Sequence, residues 1–189
     1  MLGWMRSEPG TGGGIRHVVV MGVSGCGKST VGRALAERLG WQWIEGDQLH
    51  PDSNIRKMAA GQPLEDSDRL PWLRRVAAEI GGLQARGIAS VTGCSALRRA
   101  YRDILRDAAP GVGFLHLHGS RELLAARTGN RPGHFFPAAL LESQLATLEP
   151  LTPDEDGLRV DLSLPLADQV DRAIAGLNLR PRPLSPSGT

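Results

Sequence analysis

The stretch Gly22-Val23-Ser24-Gly25-Cys26-Gly27-Lys28-Ser29-Thr30 constrains this chain more than any other. It fits G-x-x-x-x-G-K-[ST], the phosphate-binding loop of nucleoside triphosphate enzymes. Its glycines admit backbone angles that a side chain forbids, so successive N–H groups can turn inward as an anion nest. Lys28 supplies charge for the β- and γ-phosphates, and the Ser29 hydroxyl is placed to ligate Mg²⁺. Gly22, Ser24, Gly25, Cys26, Gly27, Lys28, Ser29 and Thr30 together form the candidate ATP site.

The flanks supply the context that this motif needs. His17-Val18-Val19-Val20-Met21 reads as a buried parallel strand. Val31, Leu35 and Leu39 recur every four residues on one helical face, and Gly40 stops that helix. The helix N-terminus then faces the phosphates, and its dipole favours anions.

Further along, strand and helix patterns alternate. Strands are expected at residues 41–45, 88–92, 114–117 and 159–162. Asp52-Ser53-Asn54 reads as the cap of a short helix carrying Ile55 and Met58. Leu64 to Arg69 reads as a loop before a longer helix with Pro71 in its first turn. Helices follow at 97–107, strongly basic on its outer side, and at 121–127, 138–148 and 166–177. The alternation predicts an α/β fold, a parallel sheet covered on both faces. Ligands bind such sheets at the C-terminal strand ends. That rule gathers the phosphate loop, Glu45 to Asp47 and Gly93-Cys94-Ser95 around one crevice.

The chain divides into a glycine-rich extension (1–14), one domain (15–178) and a proline-rich tail (179–189) expected to be loose. Residues 128–137, with prolines and glycines, read as a mobile lid. A net charge of +2 gives no electrostatic case for nucleic acid or membrane partners. No apolar run approaches the roughly 20 residues that cross a bilayer. Two cysteines make no disulfide framework, and an ATP-type site suits the cytoplasm.

Phosphoryl transfer rests on positioning and charge neutralisation. Glu45 and Asp47, at a strand end, are candidates to hold metal waters or to take the acceptor's proton. Arg127 and Arg131 flank the lid and are placed to close over a nucleotide. His50 is read as a hydrogen-bonding partner for a polyhydroxylated acceptor or as a structural histidine. Lys57, Arg69 and Arg98 are candidate anion clamps, Arg69 the best of them because a loop arginine can grip a carboxylate with two bonds. Trp72 and Phe135-Phe136 read as packing residues. Cys26, at a helix start near Lys28, is expected to be a reactive thiol of lowered pKa; Cys94 is its rival, and an inert buried cysteine is the alternative.

Several pieces in order resemble gluconokinases of the small P-loop type, relatives of shikimate and nucleoside monophosphate kinases. They are the phosphate loop; Glu45-Gly46-Asp47 with Leu49-His50-Pro51; Asp68-Arg69 with Pro71-Trp72-Leu73; Cys94-Ser95-Ala96-Leu97; Gly133-His134-Phe135-Phe136; and Ser143-Gln144 ahead of Leu148-Glu149. The resemblance spans His17 to Leu177. It implies a three-layer α/β/α P-loop NTPase fold with a five-stranded parallel sheet and a mobile lid, often dimeric. It also implies transfer of phosphate from ATP, with Mg²⁺, to the 6-hydroxyl of D-gluconate. By matching position, Lys28, Asp47 and Arg131 would be catalytic, and Asp47, His50, Lys57, Arg69, Ser95, Arg98 and His134 would meet the acceptor. Arg127 and Arg131 would meet the nucleotide, and Ser29 and Glu45 the metal. Glu45 stands where that family has Asp, Cys26 where it has Ser or Ala, and Thr92-Gly93 is less apolar than its pattern. Two other readings are another P-loop kinase, for shikimate or a polyol, and a nucleotide-binding switch.

Overall fold

A computed structural model describes residues 14–129 and 138–182. Five parallel strands, β1 (His17–Met21), β2 (Gln42–Glu45), β3 (Ser90–Gly93), β4 (Val112–His118) and β5 (Gly157–Asp161), pair in the order β2-β3-β1-β4-β5. The helices are α1 (Lys28–Leu39), α2 (Asp52–Ala59), α3 (Asp66–Ala85), α4 (Arg99–Arg106), α5 (Arg121–Gly129), α6 (Ala138–Thr147) and α7 (Leu166–Gly176).

β1 lies in the middle of the sheet and is buried along its whole length. Its alternating side chains serve two cores. Val18 and Val20 pack with Val31 and Leu35 of α1 and Val170 of α7; Val19 and Met21 pack with Trp72, Val76 and Ile80 of α3 and Leu105 of α4. The three-layer architecture follows from that double burial, which is why β1 carries an unbroken apolar run. α1 follows β1 on one face, while α4 follows β3 on the other. The neighbouring strands β1 and β3 thus send their connections to opposite sides and open a crevice between them.

Four sequence expectations change in detail. α3 begins at Asp66, inside the expected loop, because the Asp68 carboxylate accepts from the Glu65 N–H at 2.9 Å and closes the first turn. Pro71 therefore sits within the helix rather than in its first turn. Asn54 does not cap α2; it is buried, and its Nδ2 donates to the Asp68 carbonyl at 2.9 Å. The chain stays packed past α7: Leu179 is buried, and the Arg182 N–H donates to the Leu39 carbonyl at 2.8 Å. The last tail residues, 183–189, lie outside the described residues.

The basic face of α4 also conceals a charge. Arg102 is fully buried, with Nε 2.6 Å and Nη2 3.0 Å from the Glu155 carboxylate. Its Nη1 donates to the carbonyls of Ala96, Leu97 and Glu149 at 3.1–3.3 Å. One guanidinium thus ties the loop after β3 to the turn after α6. Burial alone would raise the Glu155 carboxyl, but the bonds from Arg102 and Thr152 bring it down to about 2. Removing one member of a buried pair strands the other charge. Glu155→Ala is expected to cost about 3–5 kcal/mol in urea unfolding at pH 7, well beyond Asp154→Ala at the exposed Arg99 contact.

Candidate active site

At the C-terminal end of β1 the chain turns through Gly22, Gly25 and Gly27 at positive φ (137°, 82° and 97°). A Cβ at Gly22 would stand 2.7 Å from the Leu117 carbonyl and 2.8 Å from Cys26 Sγ, so only glycine fits there. The Gly22 N–H donates to the Ser95 carbonyl at 3.3 Å, which joins the ends of β1 and β3. Lys28 Nζ reaches back across the loop to the carbonyls of Gly22 and Val23, each at 3.2 Å. Arg127 lies alongside: its Nη2 donates to the Leu162 carbonyl at 2.8 Å, and Nη1 is 3.7 Å from where a Gly27 side chain would begin.

Glu45, at the end of β2, faces the start of α1. Its Oε1 accepts from Ser29 Oγ at 3.1 Å and its Oε2 pairs with Arg33 at 3.3 Å. Ser29 and Glu45 thus form an oxygen pair beside the phosphate loop. Among the described residues no three His, Cys, Asp or Glu side chains cluster as a metal cage. Two oxygens beside a phosphate loop suit Mg²⁺, which keeps waters and takes its other ligands from phosphates.

Past β2, a single 3₁₀ turn (Gly46–Leu49) brings Asp47 under the crevice. A side chain at Gly46 would strike the Gly93 carbonyl, so glycine is what lets this turn close on β3. Trp72 Nε1 anchors the turn by donating to the Gly46 carbonyl at 2.7 Å. His50 stacks on the same indole, ring centroids 4.0 Å apart and planes 15° from parallel. Trp72 is therefore both a packing residue and a platform.

These elements enclose a pocket of about 130 Å³ that opens on the phosphate loop. Ser24, Lys28, Asp47, His50, Gln62, Arg69, Trp72, Ser95, Ser143 and Gln144 bring polar groups to its lining, and Met58, Pro63, Leu64 and Leu140 bring apolar ones. Burial lowers His50 to about 4, with Asp47 opposing the shift and Arg69 aiding it, so the ring is neutral at pH 7. Asn54 Nδ2, a donor, lies 3.2 Å from His50 Nδ1, which assigns the ring proton to Nε2. Arg69 is buried, with Nη1 3.4 Å from the Tyr101 hydroxyl and the guanidinium over the Tyr101 ring. Among the described residues no carboxylate pairs with it, and it lines the pocket.

The other two candidate clamps differ from that expectation. Lys57 Nζ is bonded to both Asp68 oxygens at 2.8 Å, and Arg98 is paired with Asp66 at 2.9 Å. Neither lines the pocket. Arg131, His134 and Phe135-Phe136, with most of the expected lid, lie outside the described residues. The residues that sequence reasoning left without a role are Ser143 and Gln144, on the helix that follows that segment. A larger cavity of about 720 Å³, at the opposite end of the sheet, is lined by Arg16, Arg86, Arg180 and Arg182. It sits where α1, α3 and α7 end, and Arg16 Nη2 there donates to the Gly87 carbonyl at 2.7 Å.

Cys26 also departs from expectation. Its side chain points beneath the loop and is fully buried. Burial raises the thiol above its usual value, and the nearby Lys28 offsets only part of that shift. Cys94 is equally buried and is pushed up to about 12, by burial first and then by Asp47. A helix terminus lowers a thiol only where the charged form can be solvated or paired, and here it is neither.

This constellation defines a P-loop kinase of small molecules: a triphosphate cradle beside an acceptor pocket of mixed polar and apolar lining. Residues 18–151 match the family described as AAA domain. The chain is 50% identical over 145 residues to a gluconokinase of Gluconobacter oxydans, covering 77% of this chain and 82% of that one. It is 43% identical over 155 residues to the thermosensitive gluconokinase of Escherichia coli strain K12, covering 82% and 83%. The crystal structure of a gluconokinase from Sinorhizobium meliloti 1021 superposes with a TM-score of 0.77 at 49% identity, covering 87% of this chain and 91% of that one. The chain belongs to the gluconokinase family.

Iodoacetamide at pH 7.5 is expected to leave both thiols of the folded protein unmodified over hours and to label both promptly in denaturant, as read by mass spectrometry. Prompt labelling of native Cys26, suppressed by ATP, would show that its thiolate is accessible after all.

Proposed function

We propose that this protein transfers the γ-phosphoryl group of ATP to the 6-hydroxyl of D-gluconate, with Mg²⁺. The observation that carries the reading is Arg69: a buried guanidinium with no carboxylate partner among the described residues, lining a pocket that also holds Asp47 and the phosphate-loop lysine. An acceptor that brings its own carboxylate supplies the missing partner through a bidentate bond. Gluconate is such an acceptor, and the names of the relatives support the choice.

In this reading Lys28, Arg127 and the loop N–H groups other than that of Ser24, which Gln144 holds, bind the triphosphate. Ser29, with Glu45 behind it, would hold Mg²⁺, which would screen the charge of the phosphates. Asp47 faces the acceptor hydroxyl. The hydroxyl oxygen bonds to the γ-phosphorus as the bond to the β–γ bridging oxygen breaks; ADP leaves, and Asp47 takes the hydroxyl proton. His50, neutral and oriented by Asn54 and Trp72, offers its Nε2–H to another hydroxyl of the sugar chain, and Ser95 offers its own hydroxyl. By the resemblance, Arg131 meets the nucleotide and His134 the acceptor. A homodimer also rests on that resemblance, while one kinase domain over residues 15–178 rests on chain length and on the composition of the two ends. A cytoplasmic location suits the need for ATP and the free thiols of Cys26 and Cys94.

Asp47→Asn keeps the shape and removes the base. Its kcat is expected to fall by about 10²–10⁴-fold with the Kd for ATP nearly unchanged. Collapse of ATP affinity instead would assign Asp47 to the metal. Arg69→Met is expected to raise KM for gluconate and narrow its advantage over neutral sugars. An unchanged KM and an unchanged preference would remove Arg69 from the acceptor site.

A further inference from the structure

α6 borders the site: Leu140, Ser143 and Gln144 line the acceptor pocket. Its C-terminal end is fixed: the Glu149 N–H donates to the Leu97 carbonyl at 2.8 Å, and the Glu149 carboxylate accepts from the Arg99 N–H at 2.6 Å. Buried Arg102 holds the carbonyls on both sides of that junction. Rather more than one helical turn earlier, Gln144 Oε1 accepts from the backbone N–H of Ser24 at 2.6 Å, across 120 residues of sequence. Ser24 lies in the phosphate loop, between Gly22 and Gly25.

That bond fixes the orientation of the amide. A backbone N–H can pair only with the oxygen of a carboxamide, so the Nε2 end is turned away from Ser24. Gln144 also lines the acceptor pocket, together with Ser143, Asp47 and Arg69. Nε2 carries two N–H groups and accepts nothing. One side chain therefore grips the phosphate loop with its acceptor and keeps two donors clear of that contact, on a residue that lines the acceptor pocket.

We propose that Gln144 is a positioning residue that couples the two half-sites, holding the Ser24 edge of the phosphate loop in register with the acceptor it hydrogen-bonds through Nε2. The second half of this proposal rests on the sugar-acid reading given above; the first half does not. In phosphoryl transfer such registration sets how often the hydroxyl and γ-phosphorus lie in line. Loss of the coupling therefore weakens use of the acceptor far more than binding of the nucleotide.

Two variants separate the halves. Gln144→Leu removes both contacts, whereas Gln144→Glu keeps an oxygen for Ser24 and loses the donor. The Ser24 amide exchange rate, read by NMR on the full chain, is expected to rise about 10-fold or more in Gln144→Leu and to stay near the parent value in Gln144→Glu. With Mg²⁺-ATP and gluconate, both variants are expected to lose on the order of 30-fold or more in kcat/KM for gluconate. The Kd for ATP in Gln144→Leu should stay within about 3-fold of the parent. Thermal unfolding midpoints of all three proteins should agree within a few degrees. The proposal is overturned if Gln144→Leu leaves Ser24 exchange and kcat/KM at parent values, or if ATP and gluconate weaken together in step with a lowered midpoint. A parent protein that does not phosphorylate gluconate would refute the substrate reading alone, and Ser24 exchange would still decide the contact.

Discussion

The crevice has to bring two anions within bonding distance, and that electrostatic demand organises the structure around it. A triphosphate and a sugar acid repel each other in any site that does not neutralise both. The cations provided for this are few. Lys28 crosses the phosphate loop bound only to carbonyl oxygens, and Arg69 lines the acceptor pocket without a carboxylate partner among the described residues. Most of the other basic groups nearby already serve the fold. Lys57 is paired with Asp68, Arg98 with Asp66, Arg102 with Glu155, and Arg33 with Glu45. This division between paired and available cations turns a common fold into a site with a preference.

Packing makes the division possible. β1 is buried on both faces, so its C-terminal end delivers the phosphate loop to a fixed point in the sheet. β3 lies beside it and departs to the opposite face, which opens the crevice. The close approach of Gly46 to Gly93 and the bond from Trp72 to the Gly46 carbonyl hold Asp47 under that opening. Trp72 in turn orients His50, whose neutrality follows from the same burial. On the far side, Arg102 and Glu155 pin the turn after α6 to the loop after β3. Stability and site geometry are thus carried by the same contacts.

Much of this was legible in the residues. The phosphate loop identified itself through its flanking strand and helix, and the alternation of elements led to a parallel sheet with Asp47 and Ser95 at its active edge. Partnership was harder to read. Lys57, Arg69 and Arg98 look alike as basic residues near one another in sequence or function, but only contacts across the fold leave Arg69 facing the pocket. Cys26 misled for a related reason: its neighbours argue for a thiolate, while the direction of its side chain, set by the glycine turn above it, places it in the core. Arg102 reads as surface on a helix rich in arginine, and its partner Glu155 lies 53 residues away. Gln144 gave no signal beyond its place in a family pattern, because its bond to Ser24 joins segments 120 residues apart.

The central claim is that a carboxylate on the acceptor completes this site. Steady-state rates with Mg²⁺-ATP, compared across D-gluconate, D-glucose, a neutral polyol and shikimate, test it most directly, with the product located by phosphorus NMR. The account predicts that gluconate exceeds the neutral acceptors in kcat/KM by about 10²-fold or more and gives only the 6-phosphate. Equal turnover of glucose and gluconate, or a preference for shikimate, would contradict it.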